Sequence, residues 1–331
     1  STVHGYEGSG RGFNLRFRSV LDRETPHWQS LALSQPVRWS STDPLEPLVN
    51  RLFLLTADAK GRGAPGTTSI EDWQPGQADE NELSQAFGLL VDAHYRTTPS
   101  DLRQWMDDPK AVTVVARQGG DIVGVLWATI EGELEPELAQ QVLRGERRLK
   151  GHLLPQSLAN HGGDAAAATL RMLRVVRVAV HDQCRRQGIG QKLLERATQK
   201  ASDLTLDAIG TSYGAAEELL PFWQSCGFAT VRLGISREAS SGEYAVQMLR
   251  GLSDQGIAAQ QRLSARFAEQ WPVLLPVVWP ALAPELVLAI SADLPPAAPL
   301  TEQEFIELEA FAHGHRERPS DSKVKTMPSF G

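Results

Sequence analysis

The chain has 331 residues, of which 41% are hydrophobic, so it can bury a sizeable core and is expected to hold two or more domains. Its 40 acidic residues against 33 basic ones give a net charge of −7, which argues weakly against a nucleic-acid partner for the chain as a whole. No apolar run approaches the roughly 20 residues of a membrane helix, no signal peptide is visible, and two cysteines, Cys184 and Cys226, point to a reducing, cytoplasmic setting.

In chain order, the first stretch is STVHGYEGSGRGF, glycine-rich, with Arg11 inside GSGRG. Its glycines could let a backbone approach a phosphate. No lysine stands where a phosphate loop needs one. Residues 1–50 read as the remnant of a strand and a helix. Residues 59–78 are rich in Gly, Pro, Ser and Thr and read as a linker; GRGAPGTT within them also lacks the lysine. From 79 the pattern becomes regular. DENELSQAFGLLVDAHYR has helical spacing and an acidic start. PSDLRQWMDDP is a short helix starting at Pro99 and Ser100. VTVVARQ and DIVGVLWATIEGEL are strands separated by Gly119-Gly120, a hairpin signal. Residues 135–170 form a mostly helical insertion. LRVVRVAV is a strand, CRRQGIGQKLLERATQKASD a glycine loop leading into a helix, and LTLDAIGTSY a strand. AAEELLPFWQSCGF is a helix closed by Gly227, and ATVRLG starts another strand. Beyond 255, QQRLSARFAEQW reads as a helix. Residues 272–299 are apolar and proline-broken, EQEFIELEAFAHGHR is helical, and the last residues are expected to be disordered. There is no internal repeat.

The informative junction is RVAVHDQCRRQGIGQKLLERA, residues 177–197. A strand ends at Val180, and Arg185, Gly188 and Gly190 form R-x-x-G-x-G before an amphipathic helix. The glycines let backbone N–H groups point inward, and the helix N-terminus adds roughly half a positive charge. A pyrophosphate suits that cup, with Arg185 and Arg186 at its rim. A plain strand-to-helix turn is the alternative.

The order of elements and the later FWQSCGF resemble the GNAT acetyltransferases. The implied fold is α/β: a mixed central sheet with flanking helices, preceded by the end of a RecA-like ATPase lobe and followed by a mainly helical tail. STVHGYEGSGRGF, DAHYRTTPSDLR, LPQSLANHG, RVAVH, FWQSCGF and REASSG occur in one order, and that set is similar to the bacterial tRNA(Met) cytidine acetyltransferase family. The resemblance covers residues 1–255 well and 256–315 loosely. It implies transfer of acetyl from acetyl-CoA to N4 of the wobble cytidine in the anticodon loop of elongator tRNA(Met), by a cytoplasmic monomer without a membrane. It also implies ATP, with Mg, used by a helicase-like module. Residues 1–58 would end that module and 59–78 would link it. Residues 79–252 would be the GNAT domain with its insertion at 135–170, and 253–331 part of an RNA-binding tail. A GNAT enzyme for protein or small-molecule amines, or a non-catalytic RNA- or acetyl-CoA-binding module, are the alternatives.

On the same resemblance, acetyl-CoA contacts fall on Val178, Ala179 and Val180, on Arg185, Arg186, Gln187, Gly188, Ile189, Gly190 and Gln191, and on Glu218 and Ser225. Ser225 departs from an arginine the family can carry, and Ile189 from a small polar residue. Arg11 would reach ATP phosphates from the second lobe, facing a phosphate loop upstream. The cytosine amine must lose a proton as it attacks the thioester. His181, directly after the strand, is the candidate base, because an unperturbed imidazole has a pKa of about 6.5; a surface histidine or a contact to RNA or cofactor are its other readings. Tyr213 is a weaker candidate to protonate the leaving thiolate, with packing as the alternative. Cys184 sits beside two arginines that could lower its pKa, though acetyl transfer in this fold is expected to be direct rather than through a thiol; Cys226 is expected to be core. His94-Tyr95-Arg96 either holds a nucleotide or caps a helix.

Charge is unevenly spread. Residues 141–200 hold 12 Lys and Arg against 4 Asp and Glu, the footprint of a local RNA contact. Arg144, Arg147, Arg148, Lys150 and His152 cluster in RGERRLKGH, and Arg171, Arg174 and Arg177 follow. Of these, Arg144, Arg147, Arg148, Lys150, Arg171 and Arg174 are the candidate RNA contacts, a solvated face being the default for each.

Overall fold

The computed structural model describes residues 20–25, 27–29, 31, 39–40, 42–54, 57, 66–93, 97–238 and 242–295, with 302, 305 and 309. The first elements are α1 (Leu45–Leu52), β1 (Ser69–Trp73), α2 (Glu80–Ala93), α3 (Pro99–Asp107), β2 (Ala111–Gln118) and β3 (Asp121–Gly132). Then come α4 (Pro136–Leu143), α5 (Leu153–Asn160), α6 (Ala165–Thr169), β4 (Arg171–Val180) and α7 (Ile189–Asp203). The last are β5 (Ala208–Gly214), α8 (Leu220–Ser225), β6 (Ala229–Arg237), β7 (Tyr244–Gly251), α9 (Asp254–Val278) and α10 (Pro284–Asp293). Seven strands form a sheet in the order β1-β2-β3-β4-β5-β7-β6. The chain divides into two compact units, Ser1–Ile130 with Val175–Lys200, and Glu131–Arg174 with Ala201–Gly331.

In the first unit, β2 and β3 form the expected hairpin. Gln118 faces Asp121, and Gly119 and Gly120 turn the chain with φ of 58° and 94°. β1 falls inside the stretch read as a linker. It pairs antiparallel with β2, from Ser69 opposite Arg117 to Trp73 opposite Thr113. Short, polar SIEDW gave little strand signal; β1 is held by its ladder, by Glu71 pairing with Arg117, and by Trp73, which is buried. The α3 cap lies one residue before the expected start: Thr98 and Asp101 form a reciprocal capping box, with Pro99 at the first helical position. The core gathers Phe87 and Leu90 of α2, Trp105 of α3 and Val125 and Trp127 of β3. Trp73, Trp105 and Trp127 line up with ring centroids 5.5 and 6.1 Å apart. Each fully buried large side chain contributes about 1.5–3 kcal/mol.

In the second unit, the insertion folds as α4, α5 and α6 around Leu134, Ala139, Val142, Ala159 and Ala168. Asp164 caps α6 by accepting the Ala167 N–H. β7 pairs antiparallel with both β5 and β6. The prolines of the tail do not break α9, which runs through Pro272 and Pro276 to Val278. Each interior proline costs about 3 kcal/mol. Phe267, Trp271 and Trp279 are all buried and pack ring to ring, which offsets that cost. No helix among the described residues is long and apolar enough to cross a membrane.

Candidate functional site

The site is built where β4 gives way to α7. The His181 N–H donates to the Val123 carbonyl at 2.8 Å, tying the end of β4 to β3. A 3-10 turn, Asp182–Cys184, follows. Arg186 then adopts φ +60° and Gly188 φ +76°. The left-handed region costs a non-glycine residue on the order of 1–3 kcal/mol, so Arg186 holds a conformation its surroundings must enforce. Gly190 is not left-handed; it lies inside the first turn of α7. Thus Arg186 and Gly188, rather than both glycines, shape the loop. A Cβ on Gly188 would meet only Gln191 Oε1, at 3.8 Å, so the space beside it is open. The first N–H groups of α7 have no acceptor within the helix, the property an anion uses.

Ile189 is buried and its Cγ2 would lie 3.1 Å from a Cβ built on Gly124. Its side chain therefore seats α7 against β3, leaving only its backbone for a ligand. Arg185 Nη2 lies 2.7 Å from Asp182 Oδ1, and its Nε donates to the Val180 carbonyl at 3.3 Å. Gln187 Nε2 donates to the Gln183 carbonyl at 3.1 Å. The loop thus braces itself, while Arg186 is exposed.

A cleft of about 290 Å³ opens at the end of β4, lined by Val180, His181, Asp182 and Arg185 with Leu89 and Asp92 of α2. His181 Nδ1 accepts the Gln183 N–H at 3.3 Å. With that lone pair engaged, the neutral ring carries its proton on Nε2. To act as base, His181 must take a proton at Nδ1 and release Gln183, a long bond and so a cheap one to break. Asp92, in the last turn of α2, was not picked out by sequence reasoning; an acidic residue ending a helix gives no signal until the fold brings it to the cleft. Cys184 corrects an expectation. It is buried, and burial pushes its thiol up rather than the arginines pulling it down. The flanking guanidiniums are exposed and one is engaged by Asp182, so their charge acts through water.

The remaining candidates lie in the second unit. Tyr213 is the next-to-last residue of β5, stacks on Trp223 at 5.7 Å and donates to Met248 Sδ at 3.1 Å. Burial, then Asp293, push its phenol far up, so it stays protonated. Glu218 is exposed in the turn before α8. Ser225 closes α8, donating to the Phe222 carbonyl at 2.7 Å. Arg11 and His94-Tyr95-Arg96 lie outside the described residues. No cluster of metal-ligating side chains occurs among the described residues.

The basic residues separate by environment. Arg174 leaves the RNA set: its side chain is 11% exposed and its Nε donates to Glu131 Oε1 at 2.6 Å, the carboxylate being 1% exposed. Arg177 is likewise packed, over Trp127 and beside Asp101. His152 is half-buried and its Nδ1 accepts the Gly132 N–H at 3.0 Å. Arg171 lies 3.5 Å from Glu133, and Arg144 pairs with Glu146 on the surface. Arg147, Arg148 and Lys150 are exposed.

Comparison with known proteins bears on two segments. Residues 1–56 match the family described as RNA cytidine acetyltransferase NAT10/TcmA, helicase domain. Residues 85–203 and 193–253 match the family described as GNAT acetyltransferase 2. The chain is 41% identical over 325 residues to the tRNA(Met) cytidine acetyltransferase TmcA of Nitrosococcus halophilus, covering 96% of this chain and 44% of that protein. It is 39% identical to the protein of the same name from Pectobacterium atrosepticum, over 96% of this chain and 46% of that one. The chain thus spans less than half the length of these relatives. Among solved structures, Arabidopsis thaliana NAA60 in complex with acetyl-CoA aligns at 14% identity and TM-score 0.41, over 56% of this chain and 99% of that one.

Proposed function

The chain belongs to the GNAT acetyltransferase 2 family, and from that premise we propose that it is the acetyl-transferring part of an RNA acetyltransferase. Its substrate is the wobble cytidine of elongator tRNA(Met), acetylated at N4 to give N4-acetylcytidine. The observation that carries this is 41% identity, spread over 96% of the chain, to a protein named tRNA(Met) cytidine acetyltransferase; the wobble position and N4 come from the family resemblance.

The β4–α7 junction fits acetyl-CoA. Its open space at Gly188, its left-handed turn and the positive end of the α7 dipole suit a pyrophosphate, and the family resemblance assigns the pantetheine arm to the backbone of Val178, Ala179 and Val180. When bound, acetyl-CoA supplies an acetyl group activated as a thioester. Arg186, Gly188, Ile189, Gly190 and Gln191 hold its phosphates, with Arg185 and Gln187 bracing the loop. The family resemblance also assigns Glu218 and Ser225 to acetyl-CoA, Ser225 without the charge an arginine would bring. The cytosine enters flipped from its stack, since N4 cannot reach a buried thioester otherwise. N4 forms the new C–N bond, the C–S bond breaks, and the proton lost from N4 passes to His181 Nδ1, which releases Gln183. Asp92 and Asp182 line the same cleft. Tyr213 is the weaker candidate to give a proton to the departing thiolate, because the burial that keeps it protonated also makes it a poorer acid.

Arg147, Arg148 and Lys150, with Arg144 and Arg171, contact tRNA phosphates. The whole protein uses ATP and Mg in its helicase-like module, to which Arg11 contributes, and acts as a cytoplasmic monomer. The test is labelled acetyl-CoA with an anticodon stem-loop whose wobble cytidine is already unpaired, followed by digestion to nucleosides. N4-acetylcytidine is expected; label on protein or small amines, or none, refutes the proposal. In single turnover, His181→Ala should slow transfer roughly 10²–10⁴-fold with acetyl-CoA binding intact. An unchanged rate removes His181 from the chemistry.

A further inference from the structure

A second cavity, of about 130 Å³, lies wholly within the second unit. His161 and Gly162, just past the end of α5, form part of its wall, with Arg232 of β6 and Arg266 of α9. Leu263, Phe267 and Trp279 supply apolar walls, and no carboxylate among the described residues lines it. These residues include the end of the LPQSLANHG motif, to which the catalytic reading gives no task.

Arg232 is the anomaly. It is half-buried, and among the described residues its guanidinium makes one hydrogen bond, from Nη1 to Ser157 Oγ at 3.3 Å, and pairs with no carboxylate. Ser157 is itself held, donating to Gln247 Oε1 at 3.0 Å. Burial lowers the Arg232 pKa, so the charge is carried against its surroundings. A charge taken from water without a counter-ion is costly unless a ligand supplies one. Arg266 is placed with care. Its Nη1 donates to the Gly163 carbonyl at 3.4 Å, and a Cβ on Gly163 would sit 2.6 Å from that nitrogen. Glycine, at φ +70°, lets the guanidinium lie against the backbone. Burial first, then Arg232 and Arg148, hold the His161 imidazole below its ordinary range. Exposed Arg148 of the RNA-facing cluster therefore adds to the same field.

We propose that this cavity is a phosphate-binding site in which Arg232 and Arg266 clasp one phosphate group beside His161. Two guanidinium forks and an imidazole around one small apolar-walled space suit the several oxygens of a phosphate. The phosphate comes from the RNA backbone or from a free nucleotide or inorganic phosphate; the RNA source rests on the proposed function, the site does not.

The test compares potassium phosphate with potassium chloride at matched ionic strength. Phosphate should raise the melting temperature of the unaltered chain and not that of Arg232→Gln. With tRNA, Arg232→Gln should weaken binding several-fold and flatten the dependence of log affinity on log salt by about 0.7–0.9. Both effects together assign the site to the RNA backbone. A phosphate effect with an unchanged tRNA slope assigns it to free phosphate. Neither effect overturns the proposal. Arg266→Gln, at an exposed position, serves if Arg232→Gln does not fold. A chain that acetylates tRNA but ignores phosphate and both substitutions loses this site and keeps its function. One that responds to phosphate but modifies no RNA does the reverse.

Discussion

Removing the guanidinium of Arg174 should unfold the second unit early rather than weaken RNA binding. In Arg174→Met the Glu131 carboxylate stays at 1% exposure with its main partner gone. Its other oxygen still accepts the N–H of Leu154, itself buried, at 3.0 Å, so it cannot turn outward without stranding that donor. Breaking one side of a buried pair costs about 3–5 kcal/mol. At about 2–4 °C per kcal/mol for a unit of this size, the melting temperature should fall by roughly 10 °C. Adding Glu131→Gln removes the stranded charge while keeping an acceptor for Leu154, and should recover most of the loss. Urea titrations of the four combinations give the coupling directly. The tRNA affinity of Arg174→Met, measured well below its melting point, should equal that of the unaltered chain. A variant with unchanged stability and a reduced salt slope for tRNA would show that Arg174 meets phosphate and that the pairing with Glu131 is dispensable.

Gly188→Ala should raise the KM for acetyl-CoA with little change in kcat, because the added methyl has room and only the φ of +76° resists it; equal KM values would mean that the loop does not need its left-handed turn. His161 is held below its ordinary pKa, so the unfolded chain takes up its proton first; stability should fall as pH drops from about 6.5, and His161→Gln should flatten that slope in pH-dependent urea titrations. Cys226 should react with an alkylating agent well before buried Cys184, as read by peptide mass mapping; equal rates would contradict the raised Cys184 pKa. The chain should hydrolyse ATP negligibly, since no Gly-Lys-Ser/Thr loop occurs in it, and measurable hydrolysis would mean that the role given to Arg11 is misread.

The sequence by itself settled the parts in which local chemistry and tertiary need agree. R-x-x-G-x-G after an apolar run names a strand-to-helix turn, because the conformation glycine permits is a local property. Gly119-Gly120 names a hairpin for the same reason. The FWQSCGF helix ends where Gly227 takes φ +82°. What was not local was not legible. β1 is polar and short, and becomes a strand only because β2 offers a ladder. α9 passes two prolines because three buried aromatic rings hold it. Charge proved the least readable quantity. Arg148 and Arg174 look alike in the sequence, yet one faces water and the other closes on a buried carboxylate. Cys184 sits beside two arginines in the chain, but the sulfur is buried while the guanidiniums stand in solvent. His161, Arg232 and Arg266 are far apart in sequence and line one cavity. A residue's type fixes what charge it can carry; which dielectric and which partner that charge meets is decided by chain segments distant in sequence, and so only by the tertiary structure.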